Sequence, residues 1–351
     1  MKDWVNKHRY LLIIVLILVV GIGMLAATER QRILKNTTET KLENPPRTGE
    51  DLTSSFYYDQ LKEKEKKAFD LLVSRLEEKK GGVITFEEPL SGREYSRVCN
   101  ALEYDQADYF YGFVDIPMNE EDQYLVYEDS KNILDIQSSE IEKCILFLYC
   151  AEGINEKGQY GENGTVENLQ EIQEGLTVNN QERLETVEQI AKTTEEKLSK
   201  AIAKLPQEYG QKETVDYFLK WIGENLTFDS EEYENLSGVT TMQGLFEQCY
   251  IRNNTSCTAE GKALASGFAK VLMTLCNRVG MESHVVFGIW NGLDEGYVMT
   301  SVKIGDETVY VDAAGFYADG VYGLGGQKYL REAEFLNHMA PAEYFDYKVE
   351  E

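Results

Sequence analysis

The chain has 351 residues, which is long for a single ordinary core and suits two modest domains with accessory segments. Its 61 Asp and Glu residues outnumber its 35 Lys and Arg residues, giving a formal net charge of -26. Such an acidic surface repels anionic polymers, so we expect no binding to nucleic acid. A hydrophobic fraction of 42% with 22 Tyr indicates a globular protein rather than a disordered one.

The six cysteines show no CxxC pair and no Cys/His spacing typical of zinc. We therefore predict neither a metal site nor a cofactor. Two pairs are close enough in sequence to form local disulfides in an oxidising compartment, Cys144 with Cys150 and Cys249 with Cys257. The same residues are equally typical of small, buried apolar side chains, and the sequence leaves both interpretations open.

An uncharged apolar run extends from Leu11 to Ala27 and follows a short basic head. A transmembrane helix needs about 17–25 apolar residues, which this run reaches, whereas the apolar core of a signal peptide is usually shorter. We predict a cytoplasmic head at 1–10, a single-pass membrane anchor at 11–27 and an extracytoplasmic location for the bulk of the chain. Cleavage as a signal peptide is the alternative.

Residues 28–54 are polar, contain two prolines, and are typical of a stalk. Residues 55–150 then form a predicted N-terminal α+β domain. Apolar residues at helical spacing predict a helix over 61–76 that stops at Gly81-Gly82, and a shorter helix follows Ser91. Aromatic and β-branched runs predict strands at 109–114, 123–128 and 143–150.

Residues 151–180 are rich in Gly, Asn and Glu, which predicts a polar insertion or linker. A long amphipathic helix is predicted from Gln181 to Lys204, before Pro206, and a second one over 215–226. These helices open a predicted second domain that occupies 181–351.

The region from Val215 to Phe316 resembles the transglutaminase-like branch of the papain-like superfamily. The match begins with the helix VDYFLKWIGENLTFD, and ASGFAKVLMTLCNRVGME (265–282) fits the family's nucleophile helix without a gap. Strand sequences SHVVFG (283–288), YVMTSVKI (297–304) and TVYVDAAG (308–315) follow in the family's order.

The N-terminal unit is similar to the leader domain of bacterial membrane-anchored members of this family. The resemblance implies an α+β fold in which a transglutaminase-like core of helices packs on an antiparallel sheet. A small α+β domain and the membrane helix precede that core.

The family's chemistry uses a thiolate at a helix N-terminus, an imidazole that shuttles the proton and a carboxylate that orients the imidazole. The matching positions in this chain are Ala265, Tyr297 and Asp312. A methyl group cannot attack an acyl carbon, and a phenol with an ordinary pKa near 10 is a poor base at neutral pH. The resemblance thus implies a degenerate triad with no confirmed catalytic residue.

Asp312 has two interpretations. In the first, its carboxylate accepts hydrogen bonds from backbone N–H groups at a strand end, because a buried charge needs partners. In the second, it accepts a hydrogen bond from the Tyr297 hydroxyl. Four aromatic residues either line the former active-site cleft or, more commonly, pack in the core: Trp221, Phe228, Trp290 and Phe316.

Cys257, in the loop before the nucleophile helix, is the fallback nucleophile, and His284 is the histidine that would have to serve it. Cys276 lies roughly 16 Å further along the helix from Ala265 and is predicted to be core packing.

These features predict an inactive transglutaminase-like pseudoenzyme that is exported, tethered to the membrane, and binds a peptide, a cell-wall component or a protein partner. The first alternative is a cysteine hydrolase or acyltransferase that uses Cys257. The second alternative is a structural surface spacer.

Overall fold

The computed structural model describes residues 44–49, 51–126, 134–135, 140–156, 158–161, 164–230, 241–290, 296–314, 330–331, 339–341 and 345. The predicted anchor at 11–27 and most of the predicted stalk lie outside these residues. Among the helices that the structure describes, none is both long and apolar enough to cross a membrane.

The N-terminal unit combines helices with a three-stranded antiparallel sheet in the order β1–β5–β2. The predicted α+β class is confirmed. Its elements are α1 (Phe56–Asp59), α2 (Glu63–Glu77), β1 (Gly82–Ser91), α3 (Gly92–Asp105), β2 (Gly112–Met118), β3 (Leu125–Val126), β4 (Leu134–Asp135) and β5 (Glu140–Leu148).

Helices α2 and α3 form where the sequence predicts them. The buried side chains of Phe69, Leu72 and Leu76 recur at helical spacing along α2. At the start of α3, the Glu94 N–H donates to Ser91 Oγ at 3.4 Å, and the Ser91 N–H donates to the Glu94 carboxylate at 2.9 Å. This reciprocal capping box satisfies N–H groups that the first helical turn leaves unpaired.

The strands differ from the predicted ones. Strand β1 was not predicted, because Pro89 and a run of glutamates interrupt its apolar alternation. Strand β2 begins at Gly112 rather than at residue 109, since Phe110 and Tyr111 bury their rings in the turn that precedes it. The aromatic density that suggested a strand therefore reflects burial of turn residues.

The segment 151–180, predicted as a polar insertion, contains a helix, α4 (Leu169–Thr177), that packs on β1. Ile172 and Leu176 are fully buried, and the Gln173 side chain accepts a hydrogen bond from the Val83 N–H. Ile172 and Leu176, with the partly buried Leu169, are the apolar residues of this helix that pack against the core, and so short an amphipathic pattern is hard to recognise among the polar residues.

The C-terminal half contains a five-stranded antiparallel sheet in the order β11–β10–β9–β8–β12 and a short parallel pair, β6–β7. Its elements are α5 (Gln181–Ala203), α6 (Gln211–Asn225), β6 (Thr227–Phe228), α7 (Met242–Leu245) with a π-helical turn (Phe246–Tyr250), α8 (Cys257–Glu260), β7 (Lys262–Ala263), α9 (Ala265–Asn277), β8 (Ser283–Trp290), β9 (Gly296–Ile304), β10 (Glu307–Val311), β11 (Leu330–Arg331) and β12 (Met339–Pro341).

Helix α9 packs against β8 and β9 on one side and α6 on another. Its apolar residues, among them Phe268, Leu272 and Leu275, are completely buried. The Thr300 hydroxyl on β9 donates to the Ala269 carbonyl at 2.9 Å and ties the sheet to the helix. The predicted order of one buried helix followed by antiparallel strands is confirmed, as is the long helix predicted from Gln181.

The two halves share one core rather than forming separate bodies. The fully buried Tyr57 of α1 donates its hydroxyl proton to the Val285 carbonyl on β8 at 2.5 Å. The Phe56 ring stacks on the His284 ring at 3.7 Å with 1° between their planes. Asp105 on α3 holds α1 in place. Its carboxylate accepts hydrogen bonds from the N–H groups of Tyr57 and Tyr58 at 3.0 and 2.8 Å.

Cys144 and Cys150 do not form the local disulfide that the sequence left open, and both are free and buried. Cys144 lies inside β5, and Cys150 follows the end of that strand. An extended chain advances about 3.3 Å per residue, so the two Cα atoms are held beyond the roughly 7 Å that a disulfide can bridge.

We predict that His284 makes the protein less stable in mild acid. Its side chain is buried, burial lowers its pKa to about 3, and Nε2 has no hydrogen-bond partner in the described part of the chain. The unfolded imidazole takes up a proton near pH 6.5, whereas the folded one does not. The free energy of unfolding therefore falls by about 1.4 kcal/mol per pH unit below that value.

Urea unfolding of the wild type and of His284→Phe across about pH 7 to 4 measures this effect. Asp105 acts in the opposite direction, because burial raises its pKa to about 6. The Asp105 effect is common to the wild type and to His284→Phe. The difference between the two proteins in the slope of unfolding free energy against pH therefore isolates His284. Identical slopes would contradict the prediction.

Candidate functional site

The N-terminus of α9 is fixed by a short parallel strand pair. Residues 262–263 pair with 227–228, which joins the segment after α6 to the segment before α9. The Leu264 N–H then donates to the Arg252 carbonyl at 2.9 Å, and Ala265 is the first residue of the helix. The structure thus places Ala265 at the start of the helix with a partly buried methyl group, and its match to a nucleophile position stays a prediction.

Gly267 allows the first turn of α9 to lie directly against the preceding loop. A Cβ atom at this position would lie 2.1 Å from the Arg252 carbonyl oxygen and 3.3 Å from Cys257 Sγ. The first distance is a hard clash with backbone, so only glycine fits. This contact places Cys257 beside the first turn that begins with Ala265.

A buried ion pair holds the loop that carries this contact. Arg252 Nε donates to Asp229 Oδ2 at 2.8 Å, and both side chains are almost fully buried. Lys262 and Glu260 extend the network at 3.4 and 3.6 Å. Sequence reasoning missed these residues because no motif joins charges so far apart in the chain. Paired buried charges of this kind fix geometry, because removing one partner leaves the other uncompensated.

Tyr297 lies on a strand of the sheet beneath α9, and Asp312 follows the end of the neighbouring strand. Tyr297 pairs with Gly288 across β8 and β9, and Val311, the last residue of β10, pairs with Thr300. Asp312 follows directly and is 2% exposed. The three positions that the sequence matches to the family's triad therefore lie at the start of one helix, on one strand and just after the end of the adjacent strand. The predicted hydrogen bond between Asp312 and Tyr297 stays a prediction.

The aromatic residues proposed for the cleft are, where described, packing residues. Trp221 is partly buried against the C-terminal core, and the Phe228 ring lies 6.5 Å from that of Phe268, nearly parallel to it. Trp290 ends strand β8, and Phe316 lies outside the described residues.

Cys257 is poorly suited to nucleophilic attack. Its thiol is completely buried, and desolvation raises its pKa, which disfavours the reactive thiolate. No disulfide joins it to Cys249, which accepts a hydrogen bond from Asn253 Nδ2 at 3.1 Å. His284 stacks on Phe56 instead of approaching the thiol. Cys276 is likewise buried in the core, as predicted.

In the described part of the chain, no group of three or more His, Cys, Asp or Glu side chains is arranged to hold a metal ion.

Comparison with known proteins gives a limited likeness of fold. No protein-family model and no curated protein matches the chain. One similar solved structure is a TGase, with 18% identity and a TM-score of 0.30, covering 44% of this chain and 37% of that one. Another is a putative cysteine protease from Cytophaga hutchinsonii, with 14% identity and a TM-score of 0.25, covering 39% of this chain and 42% of that one. The chain spans less than half the length of each.

Gly267→Ala is expected to destabilise the protein by roughly 1–3 kcal/mol, since the new methyl group overlaps the Arg252 carbonyl and the backbone must move. Thermal unfolding of the two proteins measures the change. Ala265→Ser is the matched control, because a serine at the first helical position removes no contact of this kind. Equal stability of Gly267→Ala and the wild type would contradict the close approach.

Cys257 is expected to react with a thiol reagent only when the protein unfolds. Mass-spectrometric labelling of the native and the urea-unfolded protein compares its rate with that of Cys249, which is partly exposed. We expect native labelling of Cys257 to be at least about tenfold slower, because a buried thiol with a raised pKa supplies almost no thiolate. Cys257 labelling as fast as Cys249 would instead favour the relocated nucleophile.

Proposed function

We propose that the chain is a catalytically inactive transglutaminase-like pseudoenzyme that is exported and tethered to the membrane through residues 11–27. We propose further that it binds a peptide, a cell-wall component or a protein partner. The single observation that carries the loss of catalysis is that α9 begins with Ala265 while the adjacent thiol, Cys257, is sealed in the core.

The chemistry supports inactivity at several points. The first turn of a helix favours a thiolate through its dipole and free N–H groups, but a methyl side chain cannot use this field. The strand position that resembles the family's base carries Tyr297, and a phenol is a weak base at neutral pH. A carboxylate such as Asp312 assists this chemistry by orienting an imidazole, and the position matched to that imidazole carries Tyr297 instead.

The retained geometry supports a binding role. The Arg252–Asp229 pair and the Gly267 contact hold the start of α9 closely, although Ala265 itself requires no catalytic alignment. A fold persists through its packing, whereas function depends on the site that the fold carries. A former active-site surface that no longer turns over substrate is suited to hold a related ligand.

We expect the purified full chain in detergent to show neither amine incorporation into a glutamine-donor protein nor hydrolysis of a fluorogenic amide peptide. Both assays are run beside the Cys257→Ala variant, which removes the fallback nucleophile. Turnover above buffer that disappears in Cys257→Ala would establish the cysteine enzyme and overturn the proposal.

Ala265→Cys provides the matched gain-of-function control. A thiol at the first residue of α9 is partly exposed and lies at the positive end of the helix, so it is expected to be alkylated at least about tenfold faster than Cys257. Ala265→Cys reacting as slowly as Cys257 would contradict the assignment of this position to an accessible former active site.

A further inference from the structure

A cavity of about 90 Å³ lies between the N-terminal unit and helix α9, away from the triad-equivalent positions. Helix α3 contributes Leu102 and Glu103, strand β2 contributes Phe113, and Tyr250 and Lys270 complete the wall from the C-terminal half. The Glu103 side chain is 44% exposed, so the cavity is reached from the surface beside it.

Lys270 places a buried ammonium in the wall of this cavity. Its side chain is 1% exposed, and Nζ lies 2.9 Å from Asn254 Oδ1 and 3.3 Å from Glu103 Oε1. An ammonium has three N–H donors, and these contacts use two. A well-packed apolar residue is often as stabilising at a buried position, so the ion pair by itself is weak evidence that Lys270 serves the stability of the fold.

Two further residues of the wall carry polar side chains. Tyr250 contributes a phenol and Gln106 a side-chain amide. Burial raises the pKa of Tyr250, so its phenol stays protonated and can donate. The wall therefore offers N–H and O–H donors together with the carboxylate and amide oxygens of Glu103 and Gln106 as acceptors.

The charge of the wall favours a neutral ligand. Glu103 offsets the charge of Lys270, and the formal net charge of -26 opposes the approach of an anion. A neutral group that presents a carbonyl acceptor to Lys270 and an N–H donor to Glu103 is an amide. A volume of about 90 Å³ holds roughly three waters, or an amide of about four heavy atoms, with its methyl or methylene carbon against Leu102 and Phe113.

We propose that this cavity binds a small neutral amide group, with its carbonyl oxygen on Lys270 and its N–H on Glu103. The group comes from an N-acetylated sugar or from a side-chain amide of a peptide. The site lies apart from Ala265, so this proposal stands whether or not the former active site is inert.

Saturation-transfer NMR on the full chain in detergent tests the proposal with two arms. The sugar arm compares N-acetylglucosamine with glucosamine, which lacks the amide. The peptide arm compares free asparagine with free aspartate, so that the side chain carries the only amide, and acetamide against acetate tests the preference for a neutral group. We expect the amide member to bind in at least one arm, and that arm identifies the source.

Two variants locate the binding. Lys270→Met keeps the length of the side chain and removes the ammonium, and it is expected to weaken binding at least tenfold. Leu102→Phe fills the cavity and is expected to abolish binding. Lys197→Met is the matched control, since Lys197 is part-buried and donates to the Thr258 and Ala259 carbonyls away from the cavity. The affinity of Lys197→Met for the amide probe is expected to lie within twofold of that of the wild type.

The proposal is overturned if no amide probe binds at millimolar concentration, which would leave a water-filled cavity. It is also overturned if acetate binds as tightly as acetamide, or if Lys270→Met binds as tightly as Lys197→Met. Thermal unfolding of each variant establishes that loss of binding is measured on folded protein.

Discussion

The close approach of helix α9 to the loop before it is the constraint on which the C-terminal half depends. Gly267 lets the first helical turn touch the Arg252 carbonyl, and the Arg252–Asp229 pair keeps that carbonyl in place. The remainder of the helix is fixed by burial against the sheet and by the Thr300 hydrogen bond. The position of Ala265 follows from these contacts, and so does the sealing of Cys257.

A second set of contacts joins the two halves of the molecule. Tyr57 inserts fully into the shared core and bonds to strand β8, while the Asp105 carboxylate organises the chain around it. Burial raises the pKa of Asp105 to about 6 although it accepts three hydrogen bonds, so this junction is sensitive to pH through both Asp105 and His284. Helix α9, which packs on β8, is therefore not mechanically independent of the N-terminal unit.

Lys270 links helix α9 to the N-terminal unit. It lies on the same helix as Ala265, yet its partners are Glu103 of the N-terminal unit and Asn254 of the loop before α9. A buried cation shared between the two halves costs desolvation that the ion pair only partly offsets. If a ligand occupies the adjacent cavity, its binding free energy depends on the relative placement of both halves, since each supplies part of the wall.

The sequence by itself determined the elements that local patterns encode: helix α2, the capped start of α3, the long α5, and the buried α9 followed by antiparallel strands. It also placed Ala265 at the start of that helix and Tyr297 on a strand, because helical and strand periodicity fix which element a residue joins, whereas Asp312, predicted within a strand, follows the end of β10.

Only the tertiary structure decided the contacts between residues remote in sequence. The Arg252–Asp229 pair, the burial of Cys257 and the cavity beside Lys270 arise where separate segments meet. Local sequence patterns do not predict these tertiary contacts, because burial and pairing energies depend on which surfaces the whole chain brings together.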